Sequence, residues 1–217
     1  ILGERTSWNK DPAFRLEKKE DGIFEGRFGP DAFCHRDLYR LKVVWPGGEG
    51  DRIPTAARYV VQDPETLIFN ARVWELPKPY LWKIPDFSQP SEPLLIYEAH
   101  VGMALESGRV GTYYEFEHHI LPKIVDSGYT AIQLMAVQEH PYYGSFGYHV
   151  SNFFAPSSRF GTPDDLKSLI DAIHRAGLRV LIDLVHSHAV KNEVEGLSRF
   201  DGTSYQFFHD GPRGRHS

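Results

Sequence analysis

The sequence predicts an α/β protein in which a small β-rich module precedes a run of parallel βα units. Two observations carry this prediction. Residues 1–76 contain short β-branched and aromatic runs, separated by turn residues, and no helical period of useful length. From Leu94 onward the pattern becomes strand, helix, strand, helix, strand, which is the order of right-handed parallel βαβ units.

The first module is predicted to be a small antiparallel β-sandwich over residues 1–76. In residues 41–45, Leu41, Val43 and Trp45 lie on one face, as in a strand with one buried face. Residues 57–61 and 67–69 are further β-branched or aromatic runs, and glycine-rich pairs mark the turns between the strands.

A proline-rich segment follows the module. Five prolines lie within residues 77–93. Proline fixes φ and removes a backbone donor, so an extended linker is predicted here and not a helix or a central strand. This linker would separate the module from the βα units of residues 94–217.

The first βα unit begins at residues 94–100, a nearly continuous apolar strand that ends in polar residues. A helical stripe follows and stops near Gly128. Pro122 lies within the stripe and predicts a kink or a short break. The stripe consists of Phe116, Ile120, Leu121, Ile124 and Val125. Residues 131–137 form the second predicted strand.

The next helix has clear start and stop signals. Thr162 is the predicted N-cap, Pro163 takes the first helical position, and Gly177 ends the helix. The predicted buried face is Leu166, Leu169, Ile170 and Ile173. Residues 178–185 follow as the third strand. A closed barrel of eight βα units needs about 250 residues, so three strands leave an unpaired apolar edge.

Composition limits the classes of partner. The net charge is −5, the sequence pI is about 6.1, and no basic patch is interleaved with aromatics, so we expect no nucleic-acid partner. No apolar run approaches the roughly 20 residues that cross a bilayer, so we expect no membrane partner.

The N-terminus is expected to be a trimmed or internal start and not a signal peptide. The single cysteine, Cys34, favours a reducing compartment, the cytoplasm.

Polar residues gather at the end of the third predicted strand, in residues 183–188. The carboxyl ends of parallel strands carry binding and chemistry in α/β folds. If the strand stays extended, His186 and His188 share one face. Three interpretations of residues 183–188 are open, namely a metal site, a solvated strand end and polyol recognition. No further ligand set has typical spacing, so no metal is predicted. In polyol recognition, His188 would bond a substrate hydroxyl and Asp183 would orient a neighbouring group.

The loop at residues 142–148 carries aromatics spaced by small residues. Glycine lets the backbone approach a ligand, and tyrosine offers a pyranose an apolar face and a hydroxyl. Tyr148 is favoured as a substrate contact, with Tyr143 beside it, whereas Tyr142 and Phe146 are favoured as packing residues of the loop.

Two other pairs have open roles. Glu98 and His100 are either site residues or a structural ion pair, and Glu139 with His140 is expected to hold the loop.

Taken together, residues 97–102, 132–135, 139–140, 142–148, 160–163 and 183–188 resemble motifs of one family. The family is that of the glycogen (1,4-α-glucan) branching enzymes of the α-amylase superfamily, and the form is most similar to the eukaryotic type. Residues 200–203 and 209–214 fit as well. The resemblance is strong over residues 94–217 and weak over residues 1–76. There the first turn departs from the family pattern, which favours a core role for Trp8 over sugar stacking.

The resemblance implies a partial (β/α)8 TIM barrel of about three βα units, preceded by a glycogen-binding-type β-sandwich. It implies an α-glucan substrate, no metal or organic cofactor, and a retaining transglycosylation that makes α-1,6 branches. By position, Tyr148 would lie under the glucosyl unit being cleaved, Asp183 would support that subsite, and His188 would bond its 6-hydroxyl region. Tyr143 is predicted as a further substrate contact. The nucleophile Asp and the acid Glu are expected beyond Ser217, so the chain alone should be inactive.

Two other functions stay open. One is a debranching or trehalose-releasing hydrolase of the same superfamily. The other is a non-catalytic protein that binds glucan or a partner. The sequence makes no prediction of the oligomeric state.

Overall fold

Antiparallel pairing organises the first part of the chain and parallel pairing the second. The computed structural model describes residues 1–20, 22–88, 91–204, 206–207, 209 and 211–214. None of the helices within these ranges combines the length and the apolarity needed to cross a bilayer.

The first module is built on a five-stranded antiparallel sheet. Its strands and those of a separate two-stranded hairpin are β1 (Leu2–Gly3), β2 (Glu17–Lys18), β3 (Phe24–Glu25), β4 (Leu38–Trp45), β5 (Gly48–Arg52), β6 (Val60–Gln62) and β7 (Phe69–Arg72). The sheet order is β1-β4-β7-β6, with β5 paired to β4, and β2 pairs with β3. An antiparallel β module is therefore confirmed, while its boundary at residue 76 stays a prediction.

Two of the predicted strands lie further along the chain than expected. The runs at residues 57–61 and 67–69 become β6 and β7, each starting two or three residues later. The later start of β7 has its cause in a turn in which Leu67 has φ +60° and the Asp63 side chain accepts hydrogen bonds from the amides of Glu65 and Thr66. Leu67 and Ile68, whose side chains favour a strand, therefore lie in the turn and not in β7.

The second part contains the predicted parallel βα units. Its strands are β8 (Ile96–Ala99), β9 (Ala131–Leu134), β10 (Gln138–Glu139), β11 (Asn152–Pro156) and β12 (Arg179–Ile182). Strands β8, β9 and β12 form a parallel sheet with β9 in the centre, and β10 pairs antiparallel with β11. The helices are α1 (Tyr113–Glu115), a π-helix (Phe116–Ile120), α2 (Leu121–Asp126) and α3 (Pro163–Arg175).

The first helical region is broken next to Pro122, as predicted. Proline has no N–H to donate to the preceding turn, so the α-helical ladder cannot run through this position. The chain widens into the π-helix, where the Leu121 amide bonds to the carbonyl of Phe116 five residues back. The predicted stripe is buried except at Val125, which is exposed.

The α3 helix follows its sequence signals closely. Thr162 and Asp165 form a capping box, with the Asp165 amide donating to Thr162 Oγ1 over 3.2 Å. Gly177 has φ +82° and ends the helix. Leu169 and Ile173 are fully buried in the main core, which α3 shares with β9 and the first helical region.

The edge strands are less buried than their apolar sequences suggest. Leu94, Leu95 and Ile96 are 54%, 56% and 42% exposed, whereas the central strand β9 is buried. Strands β8 and β12 each have one neighbour among the described residues, so their outer edges are open. The strand predicted over residues 94–100 is therefore shorter, Ile96–Ala99, and the predicted unpaired apolar edge is observed.

The proline-rich segment is anchored to α3. No helix or strand forms in its described residues, 77–88 and 91–93. Asp171 of α3 accepts hydrogen bonds from the Tyr80 hydroxyl (2.5 Å) and from the amides of Lys83 (3.0 Å) and Ile84 (3.2 Å). The Phe87 ring stacks on His174 with 4.0 Å between centroids. This segment, which we call the strap, is thus held along the helix.

Candidate functional site

The carboxyl ends of the three parallel strands are joined by one amide side chain. Gln133 of β9 donates through Nε2 to Asp183 Oδ1 (2.8 Å) and to Glu98 Oε1 (3.3 Å). The register places Glu98 beside Gln133 on neighbouring strands, and Asp183 comes directly after β12. The amide therefore keeps two carboxylates close together at the strand ends.

Gln133 was missed from the sequence. The available signal was a single polar residue within an otherwise buried strand, with Ala131, Ile132 and Leu134 fully buried around it. A strand of this kind buries a polar side chain only where it has a hydrogen-bond partner.

Tyr148 closes the other side of the Asp183 carboxylate. Its hydroxyl donates to Asp183 Oδ2 over 2.9 Å, so both oxygens of Asp183 accept a hydrogen bond. Burial raises the pKa of Tyr148, and the hydrogen bond to Asp183 raises it further. The phenol therefore stays protonated at neutral pH and acts as a fixed donor, which leaves its ring face for an apolar surface.

A small apolar cluster supports the Tyr148 ring. Ala136, Val150 and Val185 are buried together, and Tyr148 and Phe153 pack against them. Val185 is held there because its amide donates to the Gln138 side chain over 2.9 Å. The aromatic platform thus has a rigid apolar base.

His188 supports the loop that carries Tyr148. Its Nε2 lies 2.7 Å from the backbone oxygen of Tyr148, and its Nδ1 lies 2.9 Å from Ser187 Oγ. A carbonyl oxygen only accepts, so Nε2 must carry the proton in this bond. In this arrangement His188 positions the Tyr148 backbone, and the predicted bond to a substrate hydroxyl stays a prediction.

The two histidines of residues 183–188 do not share a strand face. Strand β12 ends at Ile182, and the chain then bends so that the Val185 amide reaches Gln138. His186 is exposed, and its ring lies 6.3 Å from that of Phe153. Within the described ranges, no group of three His, Cys, Asp or Glu side chains could hold a metal ion.

The aromatic loop separates its two predicted tyrosine contacts. A 3-10 turn spans Tyr143–Ser145, and Gly147 follows with φ +90°. A Cβ on Gly147 would lie 2.1 Å from the Ala136 carbonyl oxygen, so only glycine fits. Tyr143 packs against the main core, and a Cβ on Gly102 would lie 2.8 Å from the Tyr143 hydroxyl. The structure therefore groups Tyr148 with Asp183 and directs Tyr143 toward the core.

Among the other residues of this region, Tyr142 differs from its predicted packing role and Phe146 does not. Tyr142 was expected to pack in the loop but is 64% exposed. Phe146 is partly exposed and makes an edge contact with His100, with 5.8 Å between centroids. His100 is buried among aromatic rings, so it forms no ion pair with Glu98, whose partner is Gln133.

Glu139 holds the base of the loop, as expected. Its carboxylate is fully buried and accepts hydrogen bonds from the Ser158 amide (2.7 Å), Ser157 Oγ (3.2 Å) and Arg159 Nη1 (3.3 Å). Burial raises the pKa of Glu139. Arg159 also donates to the carbonyls of His140 and Pro141, so one ion pair fixes β10 and the start of the loop.

Trp8 lies in the first module, away from this group. The Arg40 guanidinium covers its ring at 4.9 Å from the centroid, and the side chain is partly exposed. Trp8 is therefore only partly buried, beneath a cation, and does not take the predicted core position.

Comparisons with known proteins give the family to which this chain is similar. The α-amylase catalytic-domain family matches residues 119–211. The 1,4-alpha-glucan-branching enzyme 2-2, chloroplastic/amyloplastic, of Arabidopsis thaliana is 45% identical over all of this chain and 28% of its own length. The 1,4-alpha-glucan-branching enzyme of Rhizophagus irregularis is 44% identical over all of this chain and 32% of its own length.

A solved structure gives the same result for the fold. The crystal structure of a putative α-amylase from Salmonella typhimurium superimposes with a TM-score of 0.72 at 25% sequence identity. The match covers 92% of this chain and 32% of the Salmonella chain.

The α-amylase family match and the Salmonella superposition assign this parallel βα sheet to the α-amylase superfamily. Within that superfamily, the chain belongs to the family of the 1,4-α-glucan-branching enzymes. It spans less than a third of the length of the Arabidopsis and Rhizophagus relatives.

Proposed function

We propose that this chain supplies one wall of the glucan-binding site of a 1,4-α-glucan-branching enzyme. The reaction would transfer a segment of an α-1,4-linked glucan to a glucan 6-hydroxyl with retention of configuration. One carboxylate forms a glycosyl-enzyme and a second carboxylic acid protonates the leaving oxygen. Both groups are expected on strands beyond the three in this chain.

The observation that supports this proposal best is the Tyr148–Asp183–Gln133 arrangement. A tyrosine ring on an apolar base, with its hydroxyl fixed by a carboxylate, presents a flat surface suited to the C–H face of a pyranose. The hydroxyl, carboxylate and amide groups beside it form directional bonds to sugar hydroxyls. The Arabidopsis and Rhizophagus relatives, both named branching enzymes, supply the reaction class.

Within this wall, three of the four predicted residues have a proposed role. Tyr148 is the platform, Asp183 fixes its hydroxyl, and His188 fixes its backbone. A substrate contact of Tyr143 stays a prediction, because its contacts are with the main core.

The compartment is a separate proposal. Cys34 is free and exposed, which fits a reducing compartment, and we propose the cytoplasm. The Arabidopsis relative is named as chloroplastic/amyloplastic, so membership of the family leaves the compartment open.

The test is an iodine stain of amylose incubated with the full-length protein. Branching shortens the linear segments and shifts the stain without a rise in reducing ends. Rising reducing ends, on amylose or on a branched glucan, would favour a hydrolase of the superfamily. Binding of amylose with neither change would favour a non-catalytic glucan-binding protein. The 217-residue chain alone is expected to give no turnover.

A further inference from the structure

We infer that the first module is a fixed support for the loop that follows His188, and that Arg52 is a positioning residue for the glucan site. The loop comprises residues 190–203, and we call it the post-strand loop. The inference deepens the proposed function and rests on it. It depends on contacts that run from β5 through this loop to Tyr148.

The Arg52 guanidinium is the centre of the contact. It is only 3% exposed, and it donates to the Phe200 carbonyl through Nε (3.1 Å) and to the Arg199 carbonyl through Nη2 (2.7 Å). Its Nη1 donates to its neighbour's carbonyl, that of Asp51, over 2.8 Å. A buried cation is costly unless its donors are satisfied, so these carbonyls and Arg52 hold each other in place.

Two neighbours of Arg52 extend the contact along the loop. The Ile53 amide donates to the Val194 carbonyl over 3.0 Å. Trp45 stacks beneath the Arg52 guanidinium, with 5.2 Å to the ring centroid. At Gly202, where φ is +86°, a Cβ would lie 2.3 Å from Trp45 Nε1, so the loop backbone lies directly against the indole.

The other end of the loop reaches the glucan site. The Val190 amide donates to the Val150 carbonyl over 3.0 Å. Val150 belongs to the apolar cluster beneath Tyr148, and His188, two residues before Val190, bonds the Tyr148 backbone. A shift of the post-strand loop would therefore be passed to the Tyr148 platform.

The loop depends on these outside contacts because it has little structure of its own. Neither a helix nor a strand forms in residues 190–203, all of which the structure describes. Lysine could not replace Arg52, because the planar guanidinium spans two successive carbonyls and an ammonium is a point donor on a flexible stem. The core of the module consists of other residues, namely Ile53, Ala57, Val60, Phe69 and Ala71.

The experiment compares Arg52→Met and Arg52→Lys with Arg5→Met in the full-length protein. Arg5 is an arginine of the same module that donates to Asp37 Oδ2 over 2.7 Å, so it is a matched control. The measurements are KM and kcat for amylose branching, and amide hydrogen exchange in the absence of glucan. If Arg52→Met fails to fold, Arg52→Lys, which keeps the charge and the stem, carries the same test.

We expect Arg52→Met to raise KM by about tenfold with a smaller effect on kcat, since hydrogen bonds from a charged donor are lost. Exchange should accelerate at the Val190 and Gly202 amides and stay slow at Arg72, whose amide bonds to the Tyr59 carbonyl within the module. Arg52→Lys should recover only part of the loss.

An unchanged KM in both Arg52 variants, or an equal rise of KM in Arg5→Met, overturns the positioning role. So does slow exchange at Gly202 in Arg52→Met. If the wild-type protein does not branch amylose, the proposed function is wrong. The support of the post-strand loop by Arg52 can still be tested, because the exchange measurement needs no turnover.

Discussion

The Tyr148 hydroxyl donates to one oxygen of Asp183 while the Gln133 amide donates to the other. The carboxylate is therefore fixed on both sides, and its Oδ2 in turn orients the phenol. This relationship separates two contributions of Tyr148, its ring and its hydroxyl, that substitutions can distinguish.

Replacing Tyr148 with phenylalanine should lower kcat/KM for amylose less than replacing it with alanine. Tyr148→Phe keeps the ring but leaves Asp183 Oδ2 without its donor, and loss of a hydrogen bond to a charged group costs about 1.5–3 kcal/mol. Tyr148→Ala also removes the stacking surface, so its loss of kcat/KM should exceed that of the phenylalanine variant. Steady-state kinetics of the full-length protein on amylose check this. Equal losses in the two variants would show that the ring itself does not contact the sugar.

Replacing Gln133 with glutamate should make stability depend on pH. The new carboxylate would lie between those of Glu98 and Asp183, and like charges at this distance disfavour ionisation. The pKa of the new carboxyl should therefore be raised in the folded state. We expect the destabilisation to be larger at pH 8 than at pH 5. Urea unfolding of the full-length protein at both pH values is the measurement, and Gln133→Met, which adds no charge, is the control. A cost independent of pH would contradict the proposed closeness of the two carboxylates.

The strap should detach when Asp171 loses its charge. Burial alone would raise the pKa of Asp171, but hydrogen bonds from Tyr80, Lys83 and Ile84 outweigh it and lower the pKa. A carboxyl whose folded pKa is lowered stabilises the protein above its unfolded pKa of about 3.9, and the contribution is lost as pH falls through the folded value.

Asp171→Asn should therefore reduce stability by about 1–3 kcal/mol at pH 7 and by less at pH 3. The amides of Lys83 and Ile84 should exchange faster in this variant. Tyr80→Phe removes one of the three donors. Its stability at pH 7 should therefore lie between that of the wild type and that of Asp171→Asn. If these amides exchange slowly in Asp171→Asn, the strap is held by other contacts.

His140 should contribute to instability in mild acid. Burial lowers the pKa of this fully buried histidine to about 4, whereas an unfolded histidine titrates near 6.5. Between these two values the unfolded chain binds more protons, so stability should fall as pH drops from about 6.5 to about 4. The total loss from this one group is about 3 kcal/mol.

Urea midpoints measured across this range check the acid dependence. His140→Asn should flatten it, and His118→Asn, at an exposed position, should leave it unchanged. A wild-type stability that stays constant from pH 6.5 to 4 would show that His140 is protonated at little cost.

The parts of the fold that were predicted correctly depend on local signals. Thr162, Pro163 and Gly177 fix the ends of α3 through groups only a few residues away. Pro122 breaks the first helix through a donor that it lacks, whatever surrounds it. The parallel order of β8, β9 and β12 follows from the alternation of strands and helices.

The failures come from long-range contacts. Asp171 gives no sign in the helical pattern that it will be buried, because its partners lie some 90 residues earlier in the strap. The third strand, predicted over residues 178–185, ends at Ile182, where the chain bends and the Val185 amide donates to the Gln138 side chain. Gln133 could have been recognised only by asking which groups form hydrogen bonds with a polar side chain in a buried strand.

The open edges of β8 and β12 have a consequence for how such a protein is made. Synthesis delivers the N-terminal strands first, so a nascent chain of this family passes through a stage with three paired strands and two free ladders of backbone donors and acceptors. Free ladders recruit other strands, whether from the same chain or from a neighbouring one. The strap touches β12 where Arg179 donates to the Glu92 carbonyl (3.3 Å), but among the described residues no strand pairs with the outer edge of β8 or of β12. We therefore expect yield in the cell to depend on how quickly later strands arrive, and chaperones that bind extended apolar segments to engage the chain at this stage.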